Sequence, residues 1–236
     1  LVVVARQDAR EPDLAARGID REGRAEQRDG RTLGTFPASA ADVCVTDVQL
    51  GHHLACDVVE VRAVRDVQDH ARAADAPDDV ISRAADLLEQ VSALLAPFDT
   101  DEWHTPSGRR SDLPMRGNVL TIPQSTTGGD DGRLHGWARF RRFHLGRNGA
   151  VHGGIIAHLF DSVLGKTSFL LTGGPYQRTA YLHVNYRKIV PIDKELQVEA
   201  SVSRVEGRKI FVEMRLCDGA ELLADGEGLF VLLKPG

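Results

Sequence analysis

Apolar side chains crowd residues 153 to 171 too densely for one helical stripe. Ile155, Ile156, Leu159, Phe160, Val163, Leu164, Phe169, Leu170 and Leu171 cover most sides of a helix. A helix apolar all round is a buried one. The segment is too polar and too glycine-interrupted to span a membrane. It opens at His152-Gly153-Gly154 and stops at Gly173-Gly174. Beyond it the period changes to two. Tyr181 to Arg187, Leu196 to Val205, Lys209 to Cys217 and Glu221 to Leu233 read as strands, with turns at Pro191-Ile192-Asp193, Glu206-Gly207-Arg208 and Asp218-Gly219. Before it, Leu134 to Leu145 alternates as one strand that delivers the chain to Gly146. A buried helix followed by a run of antiparallel strands predicts an α+β layer in which a sheet wraps round one helix.

Upstream the pattern weakens. Residues 77 to 96 predict a helix, with Pro77, Asp78 and Asp79 in its first turn and Pro97 after it. Val80, Ile81, Ala84, Leu87, Leu88, Val91, Leu94 and Leu95 lie at helical spacing. Val119 to Pro123 is a short strand candidate inside a stretch, 99 to 133, that otherwise reads as loop, with a turn cluster from Gly128 to Gly132. Residues 43 to 50 read as a strand. Residues 58 to 65 alternate similarly, as a second strand or as the start of a helix through residue 75. A strand there would send His52 and His53 to opposite faces, so they are expected as a surface pair and not as metal ligands. Residues 6 to 40 are dense in Arg, Asp, Glu and Gly, too poor in large apolar groups to offset their ordering entropy. The expected division is a loosely packed extension over 1–40, a strand and helix segment over 41–114, and the main domain over 115–236.

Composition narrows the function. Across 236 residues the formal net charge is −5 and the pI is near 6.0. This argues against a nucleic-acid scaffold. Cys44, Cys56 and Cys217 lack metal-ligand spacing, and reduced thiols in a cytoplasmic protein are expected. The opening Leu-Val-Val-Val-Ala is too short for a signal-peptide core. No segment qualifies as transmembrane, and no dinucleotide or phosphate-loop glycine fingerprint is present.

The candidate chemistry lies on the apolar helix. Asp161 is a carboxylate amid apolar residues, and Asp is seldom buried without a partner or a purpose. It is a candidate general base or nucleophile. The backbone N–H groups of Gly153 and Gly154 face outward at the positive end of the helix dipole, a candidate oxyanion site. Eight residues separate Gly153 from Asp161, roughly 12 Å along a helix, too far for both to serve one carbonyl. Two such helices packed antiparallel set the glycine end of one against the Asp161 of the other. Active sites at a dimer interface, two per dimer, are therefore expected.

His152-Gly153-Gly154 with Asp161, Asn185-Tyr186-Arg187 and Val205-Glu206-Gly207-Arg208-Lys209 resembles the PaaI-type branch of the hotdog-fold acyl-CoA thioesterases, over roughly residues 115 to 235. The resemblance implies the hotdog fold, with a helical segment before it, and hydrolysis of an acyl- or aryl-CoA thioester to the free acid and coenzyme A. It implies Gly153 as oxyanion donor, and Asp161 supplied by the opposite subunit. Thr179 corresponds to a Ser/Thr that orients the attacking water. His152 is assigned to positioning or to hydrogen bonds near the thioester, and Asn148 to assisting the oxyanion. Gly154, Asn185 and Tyr186 are expected along the pantetheine path, and Arg187, Lys188, Arg208 and Lys209 at the coenzyme A phosphates. No metal or other cofactor is implied. A homodimer or tetramer is. The alternatives are a non-catalytic acyl-CoA-binding regulator and a hydratase or dehydratase on the same fold.

Overall fold

A computed structural model describes residues 2–6, 52–110, 113–128, 133–172 and 177–233. Its elements are β1 (Val2–Arg6), α1 (His52–Ala73), α2 (Asp78–Leu95), β2 (Gln124–Gly128), β3 (Arg133–Arg139), α3 (Gly153–Thr172), β4 (Gln177–Tyr186), β5 (Glu195–Glu206), β6 (Lys209–Asp218) and β7 (Glu221–Leu232). They belong to two compact units. One comprises residues 1–44, 124–140 and 144–236, the other 45–123 with 141–143.

The first unit is a sheet in the order β1-β4-β7-β6-β5-β3-β2. All pairings from β4 to β2 are antiparallel. The sheet curls round α3, which is the hotdog arrangement that the hydrophobic pattern and the resemblance led us to expect. Leu159, Phe160 and Leu164 of α3 are fully buried, with Leu182 and Val184 of β4 and Val212 and Leu216 of β6. Burying each such side chain contributes about 1.5–3 kcal/mol. Close approach of α3 to β7 requires glycine at 226. A Cβ there would stand 3.1 Å from the Phe160 ring and 2.3 Å from the carbonyl oxygen of His183. At the far edge, β2 is tied to the helix by Gln124 Nε2 donating to Ser162 Oγ at 3.0 Å and Lys166 Nζ donating to the Thr126 carbonyl at 3.2 Å.

The predicted strands after the helix form with boundaries within a few residues. Three local expectations for this unit are corrected. The start of the supposed loose extension, Val2–Arg6, is a strand paired parallel with β4; residues 7–51, with the strand expected over 43–50 and Cys44, lie outside the described residues. Part of the supposed loop over 99 to 133 is β2, a polar edge strand whose residues Gln124-Ser-Thr-Thr-Gly carry no apolar alternation to reveal it. The strand expected from 134 to 145 stops at Arg139 and gives way to one 3-10 turn at Arg142–His144. The centre of the turn cluster, 129–132, and the Gly173-Gly174 stop lie outside the described residues.

In the second unit, residues 52 to 73 are helical throughout, so the strand reading of 58 to 65 and of His52-His53 is corrected. Val61 and Arg65 are both buried while Ala63 between them is exposed; a strand would set all three on one face, whereas on a helix only residues four apart share one. Arg65 donates to the carbonyls of Asn118 at 3.2 Å and Thr121 at 2.8 Å. Asn118 Oδ1 accepts the Leu120 N–H at 2.9 Å. These bonds hold 118–121 as turns, and the strand expected over Val119 to Pro123 does not form. Arg141 bonds Asp66 at 2.5 Å and Asp69 at 2.6 Å, and Asp69 also accepts the Phe143 N–H at 2.8 Å. α2 forms where expected, and none of its residues is buried. No described helix is long and apolar enough to cross a membrane.

Candidate active site

The turn before α3 sets the site. Asn148 and Gly149 both have positive φ, 55° and 73°. The Ala150 N–H donates to the Arg147 carbonyl at 3.1 Å, and Leu145 bridges to Val151. This is the primed-turn backbone for which Asn-Gly is the preferred pair. Asn148 is exposed there, which accounts for its residue type by backbone conformation alone.

Helix N-termini leave four N–H groups without intrahelical partners. In α3 three of them are filled, all by His152. Its carbonyl accepts the N–H groups of Ile155 at 2.9 Å and Ile156 at 3.2 Å. Its Nδ1 accepts the Gly154 N–H at 3.0 Å. Accepting at Nδ1 places the neutral imidazole's proton on Nε2. The expected pair of free glycine donors is therefore one donor: the Gly153 N–H has no partner among the described residues, whereas that of Gly154 is capped. Gly153 does not have positive φ. A Cβ on it would meet the Tyr186 ring at an ordinary 3.6 Å. Neither backbone conformation nor packing in this protomer demands glycine there.

An open groove of about 420 Å³ begins at this donor. Gly153, Val151, Ile156, Val190 and Tyr186 line it, with Lys188 and Ile189. The Tyr186 hydroxyl donates to the Gly153 carbonyl at 2.9 Å.

Asp161 lies eight residues further along α3, is half-buried, and is not part of that groove. Its Oδ1 accepts the hydroxyl of Thr179 at 2.9 Å. A β-bulge in β4 between Thr179 and Tyr181 makes this contact. Leu182 and Val184 point toward α3. Strict alternation would send Thr179 the other way, and one inserted residue restores it to the helix side. His158, one turn before Asp161, has a buried Nε2 with no hydrogen bond among the described residues, so Asp161 has a hydroxyl and not an imidazole as its partner.

The residues expected at coenzyme A do not converge in one protomer. Asn185 lies on the β4 face opposite Tyr186, and Arg187, just past β4, lines the groove. Both bind Asp225, Asn185 Nδ2 at 3.0 Å and Arg187 Nε at 2.5 Å. Lys188 pairs with Glu221 and Arg208 donates to the Leu232 carbonyl at 2.9 Å. Lys209 stands level with Arg178 through the β6–β7–β4 ladder. The Arg208-Lys209 and Arg187-Lys188 pairs are therefore about ten residues, roughly 30 Å, apart along the strands.

Fold and site together define a hotdog domain with a helix-terminal backbone donor and a hydroxyl-tethered carboxylate. Residues 148–224 match the family model described as the thioesterase superfamily. Acyl-coenzyme A thioesterase THEM4 from Xenopus laevis is 35% identical over 92 residues, 38% of this chain and 40% of the relative. The protein of the same name from Bos taurus is 34% identical over 89 residues, 37% of this chain and 35% of its own. The matched region thus spans about two-fifths of those relatives' length. A crystal structure of a thioesterase superfamily protein aligns with a TM-score of 0.60 at 26% identity, covering 74% of this chain and 94% of that one.

Proposed function

We propose that this chain is an acyl-CoA thioesterase. The observation that carries the reading is the division of α3: one backbone donor at its N-terminus with no partner among the described residues, and eight residues on a carboxylate whose partner among them is one hydroxyl. A thioester hydrolase needs those two functions, a donor for the developing oxyanion and a base for water.

In this reading Asp161 takes a proton from water as the water oxygen adds to the thioester carbonyl. The oxyanion forms against the Gly153 N–H and the end of the helix dipole. Collapse breaks the C–S bond and releases coenzyme A as a thiolate, which is then protonated. The Thr179 hydroxyl donates its hydrogen bond to Asp161 Oδ1, so its lone pairs are left to accept from the water. That bond also favours Asp161 as base over Asp161 as nucleophile, because one carboxylate oxygen is already engaged. His152 Nε2–H borders the same turn and supplies a second donor near the thioester sulfur.

About 12 Å of helix separates the two functions, so each site takes Gly153 from one copy and Asp161 from the other. The two-fold pairing that achieves this also brings the Arg208-Lys209 end of one copy toward the Arg187-Lys188 end of the next. The thioester passes along the groove at Tyr186.

The test is thiol release from a panel of acyl- and aryl-CoAs, wild type beside Asp161→Asn. Loss of a general base lowers kcat by about 10²- to 10⁴-fold, while binding of the ligand persists. Absence of release from every thioester by a folded wild type would move the function to a binding regulator.

A further inference from the structure

We propose that Tyr186 is a positioning residue for the oxyanion donor; this rests on the thioesterase reading above. Hydrogen-bond accounting at the start of α3 leads there. The peptide joining Gly153 to Gly154 is held at both of its polar groups by side chains from outside the helix. Its C=O accepts the Tyr186 hydroxyl at 2.9 Å, and its N–H donates to His152 Nδ1 at 3.0 Å. The peptide before it, between His152 and Gly153, is held through the His152 carbonyl by two N–H groups. Among the described residues, the one group left unbonded in this pair of peptides is the Gly153 N–H.

That arrangement answers a physical difficulty. Two adjacent glycines in the first turn of a helix have the widest backbone freedom of any pair, and the first turn is the part of a helix least held by its own hydrogen bonds. An oxyanion donor works through preorganisation, with its N–H aimed before charge develops. Tyr186 supplies that constraint from β4, a strand that the sheet holds firmly. Its ring lies 3.6 Å from the position of a Gly153 Cβ and forms part of the groove. Burial raises the Tyr186 phenol above its usual value, so it remains a protonated donor across the neutral range.

The decisive variant is Tyr186→Phe in the full chain, which removes the hydroxyl and keeps the ring. With a thioester that the wild type cleaves, kcat should fall about tenfold or more, while KM and the affinity for a non-hydrolysable thioether analogue of that substrate stay within about twofold. The Gly154 amide should exchange with solvent faster than in wild type, and amides in the middle of α3, such as that of Leu164, should not change. An unchanged kcat, or a loss confined to KM, would reduce Tyr186 to groove lining and overturn the proposal. Should the variant not fold, fluorinated tyrosine incorporated in the wild-type chain replaces it as the test. Turnover should then decline as pH rises through the lowered phenol value, and a decline no different from that of the unlabelled protein would refute the role. If the wild type releases no thiol at all, the thioesterase reading fails by itself, and Gly154 exchange still decides whether Tyr186 holds the turn.

Discussion

Thr179 meets Asp161 because β4 inserts one residue between Thr179 and Tyr181. Without that bulge the hydroxyl would share the outer sheet face with Tyr181 and His183, and Asp161 would lack its recorded hydrogen bond. Thr179→Val tests the contact with a nearly isosteric side chain. It removes the proton donated to Asp161 and the lone pairs offered to water, and it leaves a half-buried carboxylate oxygen unsatisfied. Turnover should fall about 10- to 100-fold, corresponding to roughly 1.4–2.7 kcal/mol of transition-state stabilisation. Steady-state kinetics at saturating substrate checks this. A kcat within twofold of wild type would place the water elsewhere. At the same scale, Gly153 is a glycine that neither φ nor the packing of described residues requires, and in the proposed reading unhindered approach to its N–H accounts for the residue type.

At the scale of elements, α3 is a spacer that keeps the proposed donor and base apart, and β4 contacts both ends of it, through Tyr186 at Gly153 and Thr179 at Asp161. In the second unit the corresponding organiser is α1. Arg141 ties its Asp66 and Asp69, and its hydrogen bond holds the Asp66 carboxyl below the ordinary aspartate value. A carboxylate whose folded-state value is depressed contributes stability that is present above the unfolded value, about 4, and is lost as pH falls through the folded one. Thermal unfolding followed against pH should therefore show this contribution intact from neutrality down to about pH 4 and fading below it. Arg141→Ala should lower the melting temperature at pH 7 and flatten the acid limb. An unaltered acid limb would show that the pair contributes nothing beyond solvent screening.

At the scale of the molecule, the proposed division of each active site between two copies has a consequence that no single variant reveals. Gly153 occupies the first helical position, where proline is tolerated, so Gly153→Pro deletes the donor N–H without breaking α3. Gly153→Pro and Asp161→Asn should each be inactive alone. When subunits are exchanged between them at equal amounts, half of the dimers are mixed, and each mixed dimer carries one intact site and one doubly defective site. About a quarter of wild-type activity should return, as two-fold symmetry requires. No recovery after demonstrated subunit exchange would place donor and base of each site in one protomer.

What the sequence determined by itself was whatever local pattern encodes. The all-round apolar run of α3, the period-two strands after it and the Asn-Gly turn before it are written in neighbouring residues. So are the glycine and aspartate at helical separation, from which the 12 Å argument for a shared site follows. Tertiary structure alone decided the rest. The Arg65 contacts to the carbonyls of Asn118 and Thr121, 53 and 56 residues away, held an apolar Val-Leu-Thr-Ile stretch as loop. Burial of Val61 and Arg65 on one face made a helix of alternation that also fits a strand. β2, polar and short, has no hydrophobic period, because its place at the edge comes from pairing with β3 and from Ser162 and Lys166. The imidazole cap on Gly154 reduced two expected donors to one. Asp225, 38 residues from Arg187, engaged the side chains of both Asn185 and Arg187. Residue type states what a side chain is able to bond, but the partner it takes depends on which strands the fold sets side by side.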